Sequence, residues 1–503
     1  KKMRLKLRPL LSSLVVSSSA VGTTSAFCHR SILPSVSYLS VSSTFRAASR
    51  AAAGGNHKFH RNNNSRSGRR HTTTTTRKLS ATTKNNMQTK EELSTTKLPS
   101  ISSRVERTLD PCVVLMKELI GQYAHLWEEK GGIYSLAQGV VYWDPPDSAK
   151  RALLAAVSDP TTHTYGPDEG LPELRTKLEE KLRNENGLCH HDVMVTVGAN
   201  QAYVNCILTL MNQSQKCVVF SPYYFNHVMA IQMSLPKESL LVGPSEDDTG
   251  VPDLDWLENS LKNDSSIDMV TIVNPGNPTG VTLSRNVLQR AVDLCQQYNC
   301  WLILDCTYEY FIANRDDDEF CCFPDPHVIH IFSFSKSYAL AGYRCGYVAL
   351  PRQPQKEDDE KKSSSSYLFD QMLKVQDTIP ITPSRIAQLA ALGAMDSGKP
   401  WVQEKYQTLD DGRAAILKAL SPLEKQMGGT GAMYVMAKLN DDNSDDQEFC
   451  RKLVSDYGVA VIPGSFCGFP GWIRVCYSNL SPELCLQAAQ RLEKGIQEMC
   501  VVS

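Results

Sequence analysis

Short runs of consecutive apolar residues alternate along the chain with stretches whose apolar positions recur at helical spacing. Six runs of strand length lie at residues 193–198, 217–221, 269–275, 301–307, 328–335 and 346–350. Amphipathic stretches such as residues 200–211 and 285–298 predict helices between them. Continuous apolar strands that alternate with helices are typical of a parallel-rich sheet covered on both faces. We therefore predict an α/β fold.

After residue 367 the pattern is mostly helical, with further strands predicted at residues 432–439, 459–463 and 472–477. Two polar stretches, residues 353–366 and 440–447, interrupt the pattern and are predicted to be solvated surface loops. Polar residues stand at or near the ends of the apolar runs, among them Gly198, Ser221, Asn274 and Asp305. Ligands of open α/β sheets bind at the carboxyl ends of the strands, so we look for chemistry there.

The first ninety residues have a different composition from the rest. They contain 17 Lys and Arg, and no Asp or Glu occurs before Glu91. A basic start and a short apolar segment precede a tract rich in Ser, Thr, Asn and Arg, which cannot bury enough surface to fold. This composition predicts a disordered targeting leader over residues 1–90. We expect a plastid address; a mitochondrial leader, or the tail of a cytosolic protein that starts at Met87, are the alternatives.

The body that follows is acidic: residues 91–503 contain 36 of the 53 basic residues and all 54 acidic residues of the chain. Such a body is a poor general binder of nucleic acid, because phosphate contacts need clustered Lys and Arg. The 16 cysteines show no CxxC pair and no Cys/His cluster with metal-ligand spacing. No apolar run reaches the roughly 20 residues that cross a bilayer. We therefore expect no metal site, no nucleic-acid partner and no membrane span.

A lysine just past a predicted strand carries the strongest chemical signal. Lys336 is flanked by hydroxyls, Ser333 stands three residues before it, and Arg344 follows eight residues after it. An amine that forms a covalent link to a carbonyl must be partly desolvated and positioned, so that it can lose its proton. Hydroxyls and a guanidinium nearby suit a phosphate dianion. The alternative is a surface lysine after a strand.

Other strand ends carry polar groups with a chemical use. Asp305 ends the apolar run 301–304, and an unpaired buried carboxylate is costly, so we expect an ionised partner. Ala199 and Asn200 follow Gly198 at the start of a predicted helix, whose free amides form an anion site. Arg474 lies on an apolar strand and could clamp a carboxylate with two parallel hydrogen bonds. A salt-bridged structural arginine is the alternative.

The motifs described above, together with several neighbouring stretches, follow one another along the chain in the order of one known family. The stretches that carry the match are Leu136-Ala137-Gln138-Gly139, Thr164–Arg175, Val195–Ala202, Ser221–His227, Val273–Gly280, Leu304–Tyr308, Ser333–Gly346 and Trp472–Cys476. Over residues 105–498 the chain resembles the class I pyridoxal-phosphate (PLP) aminotransferases of fold type I. Within that family the shared stretches are most similar to plant aminotransferases of aromatic amino acids and methionine. One departure is Cys345, at a packing position where the family prefers an aliphatic residue.

The resemblance implies a fold, a cofactor and a set of roles. The fold has a large PLP-binding domain, residues 151–366, with a mostly parallel mixed sheet, and a smaller α+β domain, residues 105–150 and 367–503. Lys336, Asp305 and Tyr308 would be catalytic. The cofactor would contact Lys336, Asp305, Tyr308, Asn277, Tyr224, Ala199, Asn200, Ser333 and Arg344, with Tyr165 added from the neighbouring subunit of a homodimer. Gly139, Asn277 and Arg474 would bind the substrate.

The resemblance implies the transfer of an amino group from an amino acid to a 2-oxo acid. It favours aromatic amino acids and methionine as donors. Tyr142 and Trp143 follow Gly139 and either line an aromatic side-chain pocket or belong to the core. His227 is interpreted as structural. Two other functions stay open: a PLP-dependent lyase of the same fold, and a non-catalytic regulator, which the missing helix-turn-helix pattern disfavours.

Overall fold

The strands account for most of the predicted apolar runs. The computed structural model describes residues 99–313, 320–352, 366–440 and 445–500; the predicted leader, most of the first predicted loop and half of the second lie outside these ranges. The described strands are β1 (Tyr134–Ser135), β2 (His191–Thr196), β3 (Lys216–Phe220), β4 (Leu240–Gly243), β5 (Ile267–Val273), β6 (Trp301–Asp305), β7 (Val328–Ser333), β8 (Gly346–Pro351), β9 (Lys425–Gly428), β10 (Tyr434–Lys438), β11 (Val459–Ala460), β12 (Ile462–Pro463) and β13 (Trp472–Cys476).

The helices fill the predicted amphipathic stretches. They are α1 (Ser103–Glu106), α2 (Cys112–Tyr123), α3 (Asp147–Ser158), α4 (Pro172–Glu185), α5 (Gly198–Leu210), α6 (Phe225–Ser234), α7 (Leu254–Asn263), α8 (Arg285–Gln297), α9 (Phe334–Ser337), α10 (Tyr367–Thr378), α11 (Arg385–Met395), α12 (Gly398–Gln407), α13 (Asp410–Leu420), α14 (Asp446–Tyr457) and α15 (Pro482–Cys500). Helix α8 shows why they form: Ser284 caps its first turn, and Leu288, Ala291, Val292 and Cys295 bury one face.

The large sheet has seven strands in the order β2-β8-β7-β6-β5-β3-β4. Strands β3 to β7 pair in parallel, and β8 runs antiparallel to both of its neighbours, β2 and β7. The α/β class and the mostly parallel mixed sheet are therefore confirmed. Strands β2, β7 and β8 are buried along their whole length, which explains why they read as unbroken apolar runs.

A second sheet is antiparallel, in the order β12-β13-β10-β9, and β1 pairs in parallel with β11. The pair β1–β11 joins residue 134 to residue 459, so an early segment of the described chain forms a sheet with a late one. The described residues cluster as one compact unit. The domain boundaries near residues 150 and 367 therefore stay a prediction.

Three strands, β1, β4 and β9, had no counterpart in the sequence analysis. Strand β1 has two residues and is too short to show an apolar run. Strand β4 is the edge of the large sheet and only one of its four residues is buried. Strand β9 reads Lys-Gln-Met-Gly, and it too has one buried residue. Edge strands do not need the apolar pattern of a central strand, so their composition gave no signal.

The carboxyl ends of the parallel strands meet at one edge of the large sheet and position the site. Strand β5 leads into the turn that holds Asn277, β6 ends at Asp305, and β7 leads into Lys336 on the single turn α9. Strand β2 leads through Val197 into helix α5, whose first turn carries Ala199 and Asn200.

Candidate active site

One cavity of about 210 Å³ collects almost every residue that the sequence analysis singled out. Its lining includes Gly139, Ala199, Asn200, Tyr224, Asn277, Asp305, Tyr308, Ser333, Lys336, Arg344 and Arg474. Val113, Gln138, Phe225 and Tyr434 also line it and were not predicted. Residues as far apart in the chain as 139 and 474 therefore share one pocket.

Lys336 lies on a capped turn, and its amine contacts a backbone carbonyl. The Ser333 hydroxyl accepts a hydrogen bond from Ser335 N at 3.1 Å and so caps the turn α9. The Lys336 amine donates to the carbonyl oxygen of Gly139. Desolvation lowers the pKa of Lys336 to about 8, and the nearby charges of Arg344 and Arg474 act in the same direction. An amine with such a pKa is in part neutral near pH 7.5, as a nucleophile or proton carrier must be.

Asp305 is buried at the floor of the pocket, where only 4% of its surface is exposed. Its Oδ2 lies 3.1 Å from Nε2 of His227, and its Oδ1 accepts a hydrogen bond from Thr307 N at 3.0 Å. Burial alone would raise the pKa of Asp305, but the bonds from His227 and Thr307 outweigh it and hold the pKa below its usual value. The carboxylate is therefore ionised at neutral pH.

His227 thus contacts the carboxylate, although the sequence analysis gave it only a structural role. Its ring also packs on Tyr203 with 4.0 Å between ring centroids. The Tyr203 hydroxyl lies 2.9 Å from that of Thr271, so the whole stack is fixed. The sequence held one signal: His227 lies on the first turn of α6, directly after the Tyr224 stretch that resembles the family.

The opposite end of the pocket is built for an anion. The amides at the start of α5 face it, and Gly198 takes a left-handed φ of +77°. A Cβ at Gly198 would lie 2.4 Å from Nη2 of Arg344, so only glycine lets the guanidinium approach. Arg344 Nη1 also reaches Ser335 Oγ at 3.5 Å. Free amides, a hydroxyl and a guanidinium together suit a phosphate group.

Arg474 projects from β13 and is almost completely buried, with 2% of its surface exposed. Its Nη1 donates to Asn277 Oδ1 at 2.9 Å and its Nη2 to Ala137 O at 2.7 Å, while Nε has no partner. Among the described residues no carboxylate forms an ion pair with it. A buried guanidinium in that state favours an anionic ligand. The alternative of a salt-bridged structural arginine has no support in the described part of the chain.

Two phenols meet beside Arg474. The Tyr308 and Tyr434 hydroxyls lie 2.7 Å apart, and both side chains are buried. The Arg474 guanidinium carbon lies 4.6 Å from the centre of the Tyr434 ring. Tyr434 was missed because its position follows from the pairing of β10 with β13, which no local motif reveals.

Three aromatic residues lie outside the pocket lining. Trp143 is buried and stacks on Phe311, and the Tyr142 hydroxyl donates to Thr408 Oγ1 at 2.8 Å. This placement favours the alternative that both belong to the core. Tyr165 is 77% exposed and lies apart from the pocket of its own chain. Its predicted contact, with the cofactor of a neighbouring subunit, stays a prediction.

The residues of the pocket fit pyridoxal phosphate. A partly neutral amine at Lys336 suits its aldehyde, and the ionised Asp305 suits a protonated ring nitrogen. The cradle of Gly198 and Arg344 suits its phosphate. The pocket and the large sheet together define an enzyme of the PLP-dependent fold type I.

Comparison with known proteins identifies the family. The family described as "Aminotransferase class I and II" matches residues 132–492. An aromatic aminotransferase of Arabidopsis thaliana is 42% identical over 76% of this chain and 94% of its own length. An aspartate aminotransferase of Pyrococcus abyssi is 28% identical over 73% and 92%. The crystal structure of an aromatic aminotransferase from Pyrococcus horikoshii aligns with a TM-score of 0.65 at 25% identity, over 76% of this chain and the whole of that one.

The chain therefore belongs to the class I and II aminotransferases, which are PLP-dependent enzymes. This confirms the predicted family, fold type, cofactor and reaction class. Nothing in these comparisons favours the lyase or the regulator. In the described part of the chain no helix is long and apolar enough to cross a membrane.

Proposed function

We propose that this aminotransferase takes aromatic amino acids and methionine as donors and that the described pocket is its active site. One observation carries the proposal. The amine of Lys336, the carboxylate of Asp305 and the guanidinium of Arg474, which has no carboxylate partner in the described part of the chain, line one cavity. An amine of lowered pKa and a buried anion site are the two features that an amino acid substrate needs.

Arg474 anchors the substrate. Its Nε has no partner, so a substrate α-carboxylate can accept a hydrogen bond there. Because Asn277 Oδ1 accepts from Arg474, the Asn277 amide hydrogens point away from the guanidinium. Asn277 and Tyr308 then both serve as donors to the ring oxygen of the cofactor. Gly139 contributes its carbonyl, which holds the Lys336 amine in place.

Lys336 moves the proton. When bound, pyridoxal phosphate supplies an aldehyde that links to amines and a pyridinium ring that accepts the electrons of the substrate Cα–H bond. The Lys336 amine takes the proton from the Cα of the donor amino acid. When the oxo acid receives the amino group, the same amine delivers a proton to the Cα of the new amino acid. Asp305, fixed by His227 and Thr307, keeps the ring nitrogen protonated. Ser333, Ala199, Asn200 and Arg344 hold the phosphate, and Tyr224 packs beside the ring.

Apolar side chains support the choice of donor. Val113 and Phe225 line the pocket, and among the described lining residues Arg344 and Arg474 are the only arginines. Arg344 belongs to the phosphate cradle and Arg474 to the α-carboxylate, which leaves no guanidinium of this subunit for a second carboxylate. The similarity to the Arabidopsis aromatic aminotransferase points the same way.

A donor and acceptor panel tests the substrate. Purified holoenzyme is incubated with phenylalanine, tyrosine, tryptophan, methionine, aspartate or alanine and with several 2-oxo acids, and both products are quantified. We expect the highest kcat/KM with the aromatic donors and methionine, with one oxo acid consumed for each one formed. A preference for aspartate would refute the substrate proposal. Product formation without consumption of the acceptor would favour a lyase.

We also propose a homodimer in which Tyr165 reaches the cofactor phosphate of the partner subunit. Its 77% exposure on a single chain leaves the side chain accessible to a second subunit, and tyrosine is enriched in the cores of protein interfaces. Mixing Lys336→Ala subunits with Tyr165→Ala subunits tests it. Hybrids would contain one intact site, so activity should reappear from two weakly active parents. No recovery in confirmed hybrids would contradict the shared site.

The third proposal is a plastid address within residues 1–90, supported by their basic, acid-free and Ser-rich composition. A fluorescent protein fused behind these residues should enter plastids. Mitochondrial or cytosolic fluorescence would refute the plastid assignment and select one of the alternatives.

A further inference from the structure

Tyr308 and Tyr434 are joined by a hydrogen bond as well as by ring packing. The two hydroxyls are 2.7 Å apart, and the rings meet edge to face at 5.7 Å between centroids. Tyr434 is 1% exposed and Tyr308 3%. A hydroxyl carries one hydrogen, so only one of the two phenols donates across this contact. Which one donates decides where the other hydrogen points.

The neighbourhood of the pair favours one donor. At 2.7 Å between the oxygens either hydroxyl can donate. Burial raises the pKa of both phenols, and Arg474 lowers both. The Arg474 guanidinium, however, lies directly against the Tyr434 ring at 4.6 Å, and the positive charge makes that phenol the better donor. This geometry favours donation from the Tyr434 hydroxyl to Tyr308 Oη.

We propose that Tyr434 is a positioning residue: its hydroxyl occupies the acceptor side of Tyr308 and directs the Tyr308 hydrogen into the pocket. The inference rests on the proposed function, in which Tyr308 donates to the ring oxygen of the cofactor. A phenol that accepts one hydrogen bond also donates a second one more strongly, because linked hydrogen bonds polarise each other. Tyr434 thus strengthens a contact that it does not make itself.

Gly139 is part of the same arrangement. A Cβ at Gly139 would lie 2.0 Å from the Tyr434 hydroxyl oxygen, so the glycine leaves room for that hydroxyl. The Gly139 carbonyl at the same time holds the Lys336 amine. The chain therefore reserves space next to its catalytic lysine for one oxygen atom of Tyr434.

The Tyr434→Phe variant tests the proposal, because it keeps the ring against Arg474 and removes only the hydroxyl. The readout is the visible absorbance of the holoenzyme as a function of pH. Donors to the ring oxygen stabilise its anionic form, so a weaker donor moves the titration midpoint to higher pH. We expect an upward shift of about half a pH unit. We also expect kcat to fall roughly threefold, with KM within twofold of wild type.

Three further variants test whether Tyr434 acts through Tyr308 and whether the shift is specific to this pair. Tyr308→Phe should shift the midpoint further in the same direction. The double variant, with both phenols replaced, should match Tyr308→Phe alone, because Tyr434 acts through Tyr308. The matched control is Tyr406→Phe, which removes a hydroxyl from another buried pair, Tyr406 and Tyr477 at 3.4 Å, outside the pocket; its midpoint should not move.

A Tyr434→Phe midpoint within 0.1 unit of wild type, or additive shifts in the double variant, would overturn the proposal. Thermal unfolding of each variant separates these outcomes from misfolding, and a Tyr434→Phe of low stability is titrated at a temperature below its unfolding transition. If the wild-type holoenzyme transfers no amino group, the proposed function fails. A failure of Tyr434 alone leaves that function intact.

Discussion

Two half-buried lysines of this chain have opposite surroundings. Lys181 forms an ion pair with Glu309, donates to the Tyr347 hydroxyl at 3.2 Å and lies over the Phe332 ring at 4.5 Å. Within the described residues, the hydrogen-bond partner of the Lys336 amine is a carbonyl oxygen, and its charged neighbours are two arginines. We call the residues around Lys181, namely Glu309, Asn186, Tyr347 and Phe332, the Lys181 cluster.

The end of β6 and the loop after it serve both regions: Asp305 and Tyr308 line the pocket, and Glu309 belongs to the Lys181 cluster. The cluster satisfies its charges within the protein. The pocket leaves an amine and a guanidinium without carboxylates, at a cost that bound ligands offset. Unsatisfied charge therefore marks the functional region, and satisfied charge marks the structural one.

Replacing Lys336 by alanine should have the largest effect. The rate of amino transfer should fall by at least about 10²–10⁴-fold, because a positioned proton carrier is lost. Thermal stability of the cofactor-free protein should not fall, since the deleted amine was poorly solvated. Single-turnover and steady-state rates measure the first effect, and thermal unfolding measures the second. Many turnovers by this variant without added amine would contradict the assignment of Lys336.

The reverse pattern is expected for Lys181→Met. Glu309 would lose its counter-ion in a buried position, which typically costs about 3–5 kcal/mol of stability. Each folded molecule should keep a kcat within a fewfold of wild type. Urea unfolding and active-site titration separate the two quantities. The control is Lys177→Met, whose exposed partner Asp396 stays solvated; an equal loss there would undermine the distinction.

The buried His191, the first residue of β2, allows a test of how stability depends on pH. Burial lowers the pKa of His191 from 6.5 to about 4, and neither of its ring nitrogens has a partner. Between these pH values the unfolded chain binds more protons than the folded one, so stability falls as the pH drops from 6.5 to 4. The contribution is up to about 3 kcal/mol. It levels off below pH 4.

His191→Leu should flatten this part of the unfolding free energy curve, whereas His190→Leu, at the exposed neighbouring position, should leave it unchanged. Equal curves for wild type and His191→Leu would show that other groups cause the acid loss.

The smallest effect is expected from Arg474→Lys, which keeps the positive charge and loses the fork geometry. We expect KM for amino acids and oxo acids to rise about tenfold, equivalent to about 1.4 kcal/mol of binding. Steady-state kinetics with the best donor measures it. An unchanged KM would mean that Arg474 does not contact the α-carboxylate.

Local motifs predicted most of the pocket because each is short and starts at a strand end. Lys336 with Ser333 and Arg344, and Ala199 with Asn200, need only a strand followed by a turn or helix. The alternation of the six apolar runs predicted the large sheet for the same reason, since a strand buried on both faces is mostly apolar.

What the sequence did not reveal depends on distant pairing. Tyr434 reaches Tyr308 because β10 pairs with β13, where Met436 faces Arg474. His227 reaches Asp305 because α6 packs under the sheet. Trp143 stacks on Phe311, more than 160 residues away, and so belongs to the core. Such contacts follow from three-dimensional register, which spacing along the chain does not encode.

The contacts between the early and the late segments of the chain have a consequence for its synthesis. Leu136 N donates to Ala460 O, Cys476 N donates to Leu136 O, and Arg474 donates to Ala137 O. A nascent polypeptide on the ribosome has no β13 until residue 476 has been joined, so until then Leu136 and Ala137 lack two of these partners. A product terminated before residue 472 would lack Arg474 and with it one wall of the pocket.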